Sequence, residues 1–227
     1  PWEFMGPTLW TTNIKEFEGG HPSHYDMLHN SPNGAGIAWE SGNAYWIFDG
    51  YHGSLTRYDF NEDHGPGGTD HSDGVVYRFV DGEMRYVSGV VSHLAFDSST
   101  GLLYAADTGN NRIVALDVNS GQLGGAITPN FDGTVQRYVN GAALTTVVQG
   151  SAVGLVRPAG LELVGDILFV SDNEQGRVYA FSKQGELLDW LDLGLPSGAL
   201  NGLTFDSRGR MYVTNTSSNQ ILRVSAD

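Results

Sequence analysis

The chain has 227 residues, 31 of them Gly and 8 Pro, together about 17% against a usual share of roughly 12%, so it is rich in turns. It contains no Cys, which excludes a disulfide framework, a thiolate zinc site and a cysteine nucleophile. Twelve basic against 26 acidic side chains give a formal charge of −14; such a surface repels nucleic-acid phosphates and anionic bilayers, and neither is expected as a partner.

Seventeen of the acids are Asp and nine are Glu, a balance that suits turns and oxygen-rich cation sites better than a helical bundle. No run approaches the roughly 18 apolar residues of a membrane span, and Pro1-Trp2-Glu3-Phe4 has neither the basic region nor the apolar core of a signal peptide. A start on Pro1 instead of Met reads as a processed or cut chain. The acidic surface with only two Lys points to a secreted or periplasmic protein. The length suits one domain, 1–227, with a substantial core.

In chain order, residues 7–17 form a strand-like piece with no partner of its own, and a His-rich loop follows to residue 32. Repeat one (33–90) carries Gly36-Ile37-Ala38-Trp39, Ala44-Tyr45-Trp46-Ile47-Phe48-Asp49 and Ser54-Leu55-Thr56-Arg57-Tyr58-Asp59. Repeat two (91–150) answers with His93 to Asp97, Leu102 to Asp107 and Arg112 to Asp117. Repeat three (151–195) has Gly160 to Leu163, Ile167 to Asp172 and Arg177 to Phe181; repeat four (196–227) has Gly202 to Asp206, Arg210 to Asn215 and Gln220 to Val224. Each is three short strands with alternating, β-branched and aromatic residues between turns of Gly, Asn, Asp and Ser.

Repeats one and two each have room for a further hairpin, at Asp81-Gly82 between Val75–Val80 and Glu83–Val87, and at Asn140-Gly141 between Val135–Val139 and Ala142–Val148. Both dipeptides are strong two-residue turn signals and would supply outer strands. Repeat four ends without a fourth strand. The strand-like residues 7–17 would complete it and close a ring, as propellers do to remove open edges.

The segments His93 to Asp117, Gly160 to Phe181 and Gly202 to Val224 resemble NHL repeats and the related gluconolactonase and regucalcin propellers. The resemblance implies an all-β propeller, and most relatives have six blades. Four visible repeats are then a small closed ring, a chain cut inside a larger propeller, or one completed by homo-oligomerisation.

In a propeller the lead-in to each inner strand and the turn after the second strand share one channel face. That rule gathers His29, Asn30, Asn33, His93, Arg157 and Asn201 with Asp49, His52, Asp107, Asn110, Asp172, Glu174 and Asn215. The insertion 61–74 falls at the opposite end. Five of the seven His (21, 24, 29, 52 and 93) lie on the channel side, and neutral imidazoles suit zinc and other borderline cations. The plainer reading is that these His cap turns. His93 stands apart because Gly takes its place in the other repeats. The plainer reading of Asp49, Asp107, Asp172 and Asn215 is likewise a turn role, accepting N–H groups of the following residues.

The family resemblance adds a calcium ligand at a Pro-Asn-Gly before an inner strand, matched by Pro32-Asn33-Gly34 and in part by Asn201-Gly202-Leu203. The zinc His positions of the amidating lyase in this family fall on Ala35, Ser92, Ala159 and Asn201, so that triad is missing. The reading that follows is a metal-dependent hydrolase of small esters, lactones or phosphotriesters. Calcium or zinc would be held by His29, Asn33, Asp49, His93 and Asn201, with His93, His52 and Asp107 at the chemistry. The alternatives are a non-catalytic NHL-like binding module and an amidating-lyase-like enzyme.

Overall fold

The computed structural model describes residues 4–10, 12–17, 24–62, 68 and 70–225. The strands are β1 (Thr8–Leu9), β2 (Asp26–Met27), β3 (Gly34–Ser41), β4 (Ala44–Asp49), β5 (Ser54–Asp59) and β6 (Val75–Phe79). Next come β7 (Leu94–Asp97), β8 (Leu102–Asp107), β9 (Arg112–Asp117), β10 (Gln122–Ala126), β11 (Val135–Asn140) and β12 (Leu144–Gln149). The last are β13 (Pro158–Val164), β14 (Ile167–Asp172), β15 (Arg177–Ser182), β16 (Leu187–Asp192), β17 (Leu200–Phe205), β18 (Met211–Asn215) and β19 (Gln220–Val224). The only α-helix among the described residues is the four-residue turn Gly150–Val153.

The chain divides into two compact units, residues 1–83 with 121–141, and residues 84–120 with 142–227. The first holds the β1–β2 pair and a six-stranded sheet in the order β10-β11-β6-β5-β4-β3. The second holds three antiparallel sheets, β12-β9-β8-β7, β13-β14-β15-β16 and β17-β18-β19. All four three-strand repeats are thus present as antiparallel meanders, the building plan of propeller blades.

The repeat is visible in the backbone. The tips of the first hairpins are Gly42, Gly101, Gly165 and Gly209, at φ of 50°, 70°, 60° and 73°. The second turns place Gly53, Asn111, Gly176 and Asn219 at φ of 61°, 51°, 67° and 54°. Gly and Asn tolerate this left-handed region best, which is why the same turn recurs with only these two residues.

In the second unit one apolar cluster joins Tyr104, Ile113 and Val148 of the β7–β9 and β12 sheet to Leu161, Leu168, Val170 and Phe181 of the next. Another joins Val178 to Leu200, Leu203, Met211 and Val213. Cα atoms of the inner strands approach closely: a Cβ on Gly160 of β13 would stand 2.6 Å from Asn201 O and 2.8 Å from Leu203 N of β17.

Both extra hairpins differ from the sequence expectation. Val75–Phe79 does form the fourth strand of its sheet, but Glu83–Val87 is not a strand. There the backbone is used otherwise: Arg85 N–H donates to Asp107 Oδ1, and Gly109 N–H to Arg85 O. The Asn140-Gly141 pair is not a hairpin turn either. β11 runs parallel to β6 in the first unit, while β12 pairs antiparallel with β9 in the second. Each segment satisfies a free sheet edge, which outweighs the local turn signal. The expected closing strand is also placed differently, because β1 pairs with β2 and not with β19. No helix among the described residues is long and apolar enough to cross a membrane.

Candidate functional site

The strand-end carboxylates are buried and engaged by the turns that follow them and by neighbouring segments. Asp49 Oδ1 accepts the N–H of Tyr51 (3.0 Å) and His52 (3.3 Å), and its Oδ2 meets Ser31 Oγ (3.2 Å) and His52 Nδ1 (2.6 Å). Asp107 Oδ2 accepts from Asn110 Nδ2 at 2.9 Å and Arg112 Nε at 2.7 Å. Asp172 takes four backbone N–H groups, from Val156 (2.7 Å), Arg157 (3.1 Å), Glu174 (2.9 Å) and Gln175 (3.2 Å). Asn215 Oδ1 accepts from Ser217 N (3.1 Å) and Oγ (2.7 Å). Asp49, Asp172 and Asn215 form Asx turns, while Asp107 is held by side chains of its turn and by the Arg85 N–H, and together they hold the shape of the channel-side turns.

In the second unit these turns carry a polar rim. Ser92 Oγ and Thr108 Oγ1 are 2.6 Å apart. Arg157 pairs with Glu174 at 2.7 Å and donates to Asn173 Oδ1 at 3.2 Å. Asn173 Nδ2 donates to Leu200 O (2.8 Å) and reaches Asn201 Oδ1 (3.4 Å), and Asn201 Nδ2 reaches Thr216 Oγ1 (3.4 Å).

His93 belongs to this rim. Its backbone N–H donates to Ala159 O at 2.9 Å and its O accepts Ala106 N–H at 3.0 Å, which fixes its position between two sheets. The ring lies against Gly202, where a Cβ would come within 3.0 Å of Cε1. Burial pushes the imidazole pKa down, so His93 is neutral at neutral pH and keeps a basic lone pair.

The first unit gathers a different set. His29 Nδ1 is bonded to Asp132 Oδ2. The His29 ring stands edge-on to His71 with centroids 5.3 Å apart, and His71 stacks with His24 at 6.1 Å. His71 Nδ1 is 3.4 Å from Asp26 Oδ1. His71 comes from the insertion expected at the far end, and the sequence reading missed it along with Asp26 and Asp132; no local pattern marks a contact between residues 29 and 132. Asn33 contributes its carbonyl, which accepts Gly50 N–H at 2.8 Å. His21 and part of the insertion, including His64, lie outside the described residues.

Of the expected ligands, His29, Asn33, Asp49 and His52 belong to the first unit, and His93, Asp107 and Asn201 to the second. The oxygens of Asp49 and Asp107 already accept N–H donors or face Arg78 and Arg112. Among the described residues no group of three or more His, Asp or Glu is placed to hold a metal ion.

No family model matches the chain, and no curated protein matches it. Solved structures do. One from a nidogen/laminin complex aligns with a TM-score of 0.52 at 17% identity, over 88% of this chain and 67% of that one. A streptogramin B lyase structure aligns at 0.49 and 14% identity, covering 87% and 56%. A gluconolactonase from Xanthomonas campestris aligns at 0.45 and 19% identity, covering 76% and 50%. The chain therefore spans between half and two thirds of the length of these similar proteins. The likeness is one of fold, that of a β-propeller.

Proposed function

We propose that the polar rim of the second unit is the site of a hydrolase for small esters or lactones, with His93 as the proton acceptor. The observation that supports it is the His93 imidazole itself. Burial lowers its pKa, and it sits beside Asn201 and Gly202 on a rim of hydroxyl, amide and guanidinium groups. A neutral imidazole of this kind takes a proton from water as the water oxygen attacks the ester carbonyl. The same proton then passes to the departing alkoxide when the carbon–oxygen bond breaks. Amide and guanidinium donors on the rim are of the type that stabilise the intervening oxyanion. No step is assigned to a cation.

The test is turnover of aryl esters and lactones by the purified protein and by His93→Gln. Hydrolysis should fall about 100-fold or more in the variant, and its pH profile should rise with an inflection below the ordinary His value of about 6.5. Activity unchanged by His93→Gln would overturn this role, and turnover abolished by a chelator and restored by calcium or zinc would return the metal-dependent reading. With no turnover at all, a non-catalytic binding module stands instead; its support is β16, whose six residues are all exposed, including Trp190 at 51%.

A further inference from the structure

Two strands of the second unit, β16 and β19, each form a sheet edge, and no other described strand pairs with the far side of either. Edge strands of soluble proteins are usually blunted by Lys, Pro or a bulge. These two have no Lys or Pro and are apolar and exposed, and the one irregularity is a register shift at Leu188 near the start of β16. β16 reads Leu187-Leu188-Asp189-Trp190-Leu191-Asp192 and has two carboxylates and no cation; β19 reads Gln220-Ile221-Leu222-Arg223-Val224 and has one cation and no carboxylate. Ile221 is 73% exposed. Asp192 is already engaged by Arg177 at 3.1 Å, which leaves Asp189 as the carboxylate without an ion pair among the described residues. Arg223 has no ion pair there either.

We propose that β19 of one copy of this chain adds antiparallel to β16 of a second copy, with Arg223 opposite Asp189. That register places Ile221 opposite Leu191, Leu222 opposite Trp190, Val224 opposite Leu188, and Gln220 opposite Asp192. Every apolar residue of β19 then faces an apolar one, and the sole cation faces an acid. A two-residue slip one way sets Ile221 against Asp189, and the other way sets Arg223 against Leu191. Pairing β19 with itself leaves Arg223 without a carboxylate.

The face of β19 adds a second reason. Leu222 and Val224 share the row of Val213 and Met211, and Met211 and Val224 border a groove of about 450 Å³ lined also by Phe205, Val178, Asp189, Trp190 and Leu191 of the same copy. In the proposed register Trp190 of the second copy lies on the row of Leu222 and packs beside the groove. Hydrogen bonds along the edges supply affinity and the alternate side chains supply register. If each copy offers both strands about a twofold axis, the assembly closes as a dimer; otherwise it extends.

Sedimentation equilibrium from low to high micromolar protein tests this, at about 0.15 M salt, where the Debye length is about 8 Å and the overall −14 charge is screened. The wild type should associate with concentration. Arg223→Glu and Asp189→Arg should each weaken association about tenfold, and an equimolar mixture of the two variants should recover it, because each supplies the charge the other needs. Both positions are exposed, and circular dichroism checks that the fold is kept. A wild type that stays monomeric, or association that neither substitution alters, overturns the proposal. Neither residue belongs to the rim around His93, so hydrolysis and association fail separately.

Discussion

Lys183 Nζ lies 2.8 Å from Asp97 Oδ2 and 3.0 Å from Asp166 Oδ1. One ammonium thus ties the end of β7 to two turns of the β13–β16 sheet, beside the apolar cluster that the two sheets share. Asp97 is buried, and its other oxygen accepts Ser99 N–H at 3.0 Å. Removing the cation leaves a buried carboxylate short of a partner. Lys183→Met should lower the unfolding temperature by about 2–4 °C. Asp97→Asn in the same chain should cost less than the sum of the two single changes, because the pair is coupled. Thermal unfolding followed by circular dichroism reads both.

The same pair sets a pH dependence. Burial pushes the Asp97 carboxyl up, but hydrogen bonds from Lys183, Ser99 and Thr100 outweigh it and hold it well below the usual carboxylate range. A lowered folded pKa stabilises the protein above the unfolded value of about 3.9, and that contribution is lost as pH falls toward the folded value. Hydrogen bonds to Asp97 and then Asp166 raise the Lys183 pKa; its contribution is complete below about pH 10.4 and is lost as pH rises through the raised value. The urea midpoint of the wild type should therefore fall below about pH 4, and Asp97→Asn should flatten that fall. An unchanged acid slope in the variant would show that other carboxylates carry it.

Gly160 decides how closely two inner strands approach. A Cβ there would meet Asn201 O at 2.6 Å, Leu203 N at 2.8 Å and Ser171 Oγ at 2.9 Å, and two of the three are backbone atoms that cannot swing aside. Gly160→Ala should destabilise by about 1–3 kcal/mol. Gly125→Ala, with nothing within 4 Å, should stay within about 0.5 kcal/mol of the wild type. Equal effects at the two positions would mean that β13 and β17 can separate without loss.

Asp172 is fully buried and accepts four backbone N–H groups. Asp172→Ala should cost about 3 kcal/mol, since four backbone donors lose their acceptor in a buried turn. Asp172→Asn keeps an oxygen for Arg157, Glu174 and Gln175 and should recover roughly half of the loss. Equilibrium unfolding in urea distinguishes these outcomes. If Ala and Asn behaved alike, the turn would be held by its neighbours and not by the carboxylate.

The candidate site was legible only in part. His93 stood out because it breaks a position that is Gly in the other repeats, and the structure sets it on the rim against Gly202. Asp49, Asp107 and Asp172 could be read as turn acceptors, because an Asx turn involves residues two or three positions away. Arg157 could be read from its place before an inner strand, but Asn173, which bonds it to the rim, had no such signal. Nor did Asp132, whose bond to His29 spans 103 positions.

The amino-acid sequence by itself determined the four three-strand repeats, their turns and the carboxylates that shape them. Strand alternation, left-handed Gly or Asn and Asx capping all act over a few residues, so the order of residues carries them directly. Only the tertiary structure decided which edge each extra strand joins. Val135–Asn140 has a strong turn after it, yet it pairs with β6, and Leu144–Gln149 pairs with β9. A free edge offers a whole row of backbone hydrogen bonds, and its location depends on chain tens of residues away. A similar distance separates His29 from Asp132 and His71 from Asp26, and it leaves β16 and β19 with the free edges from which association is inferred.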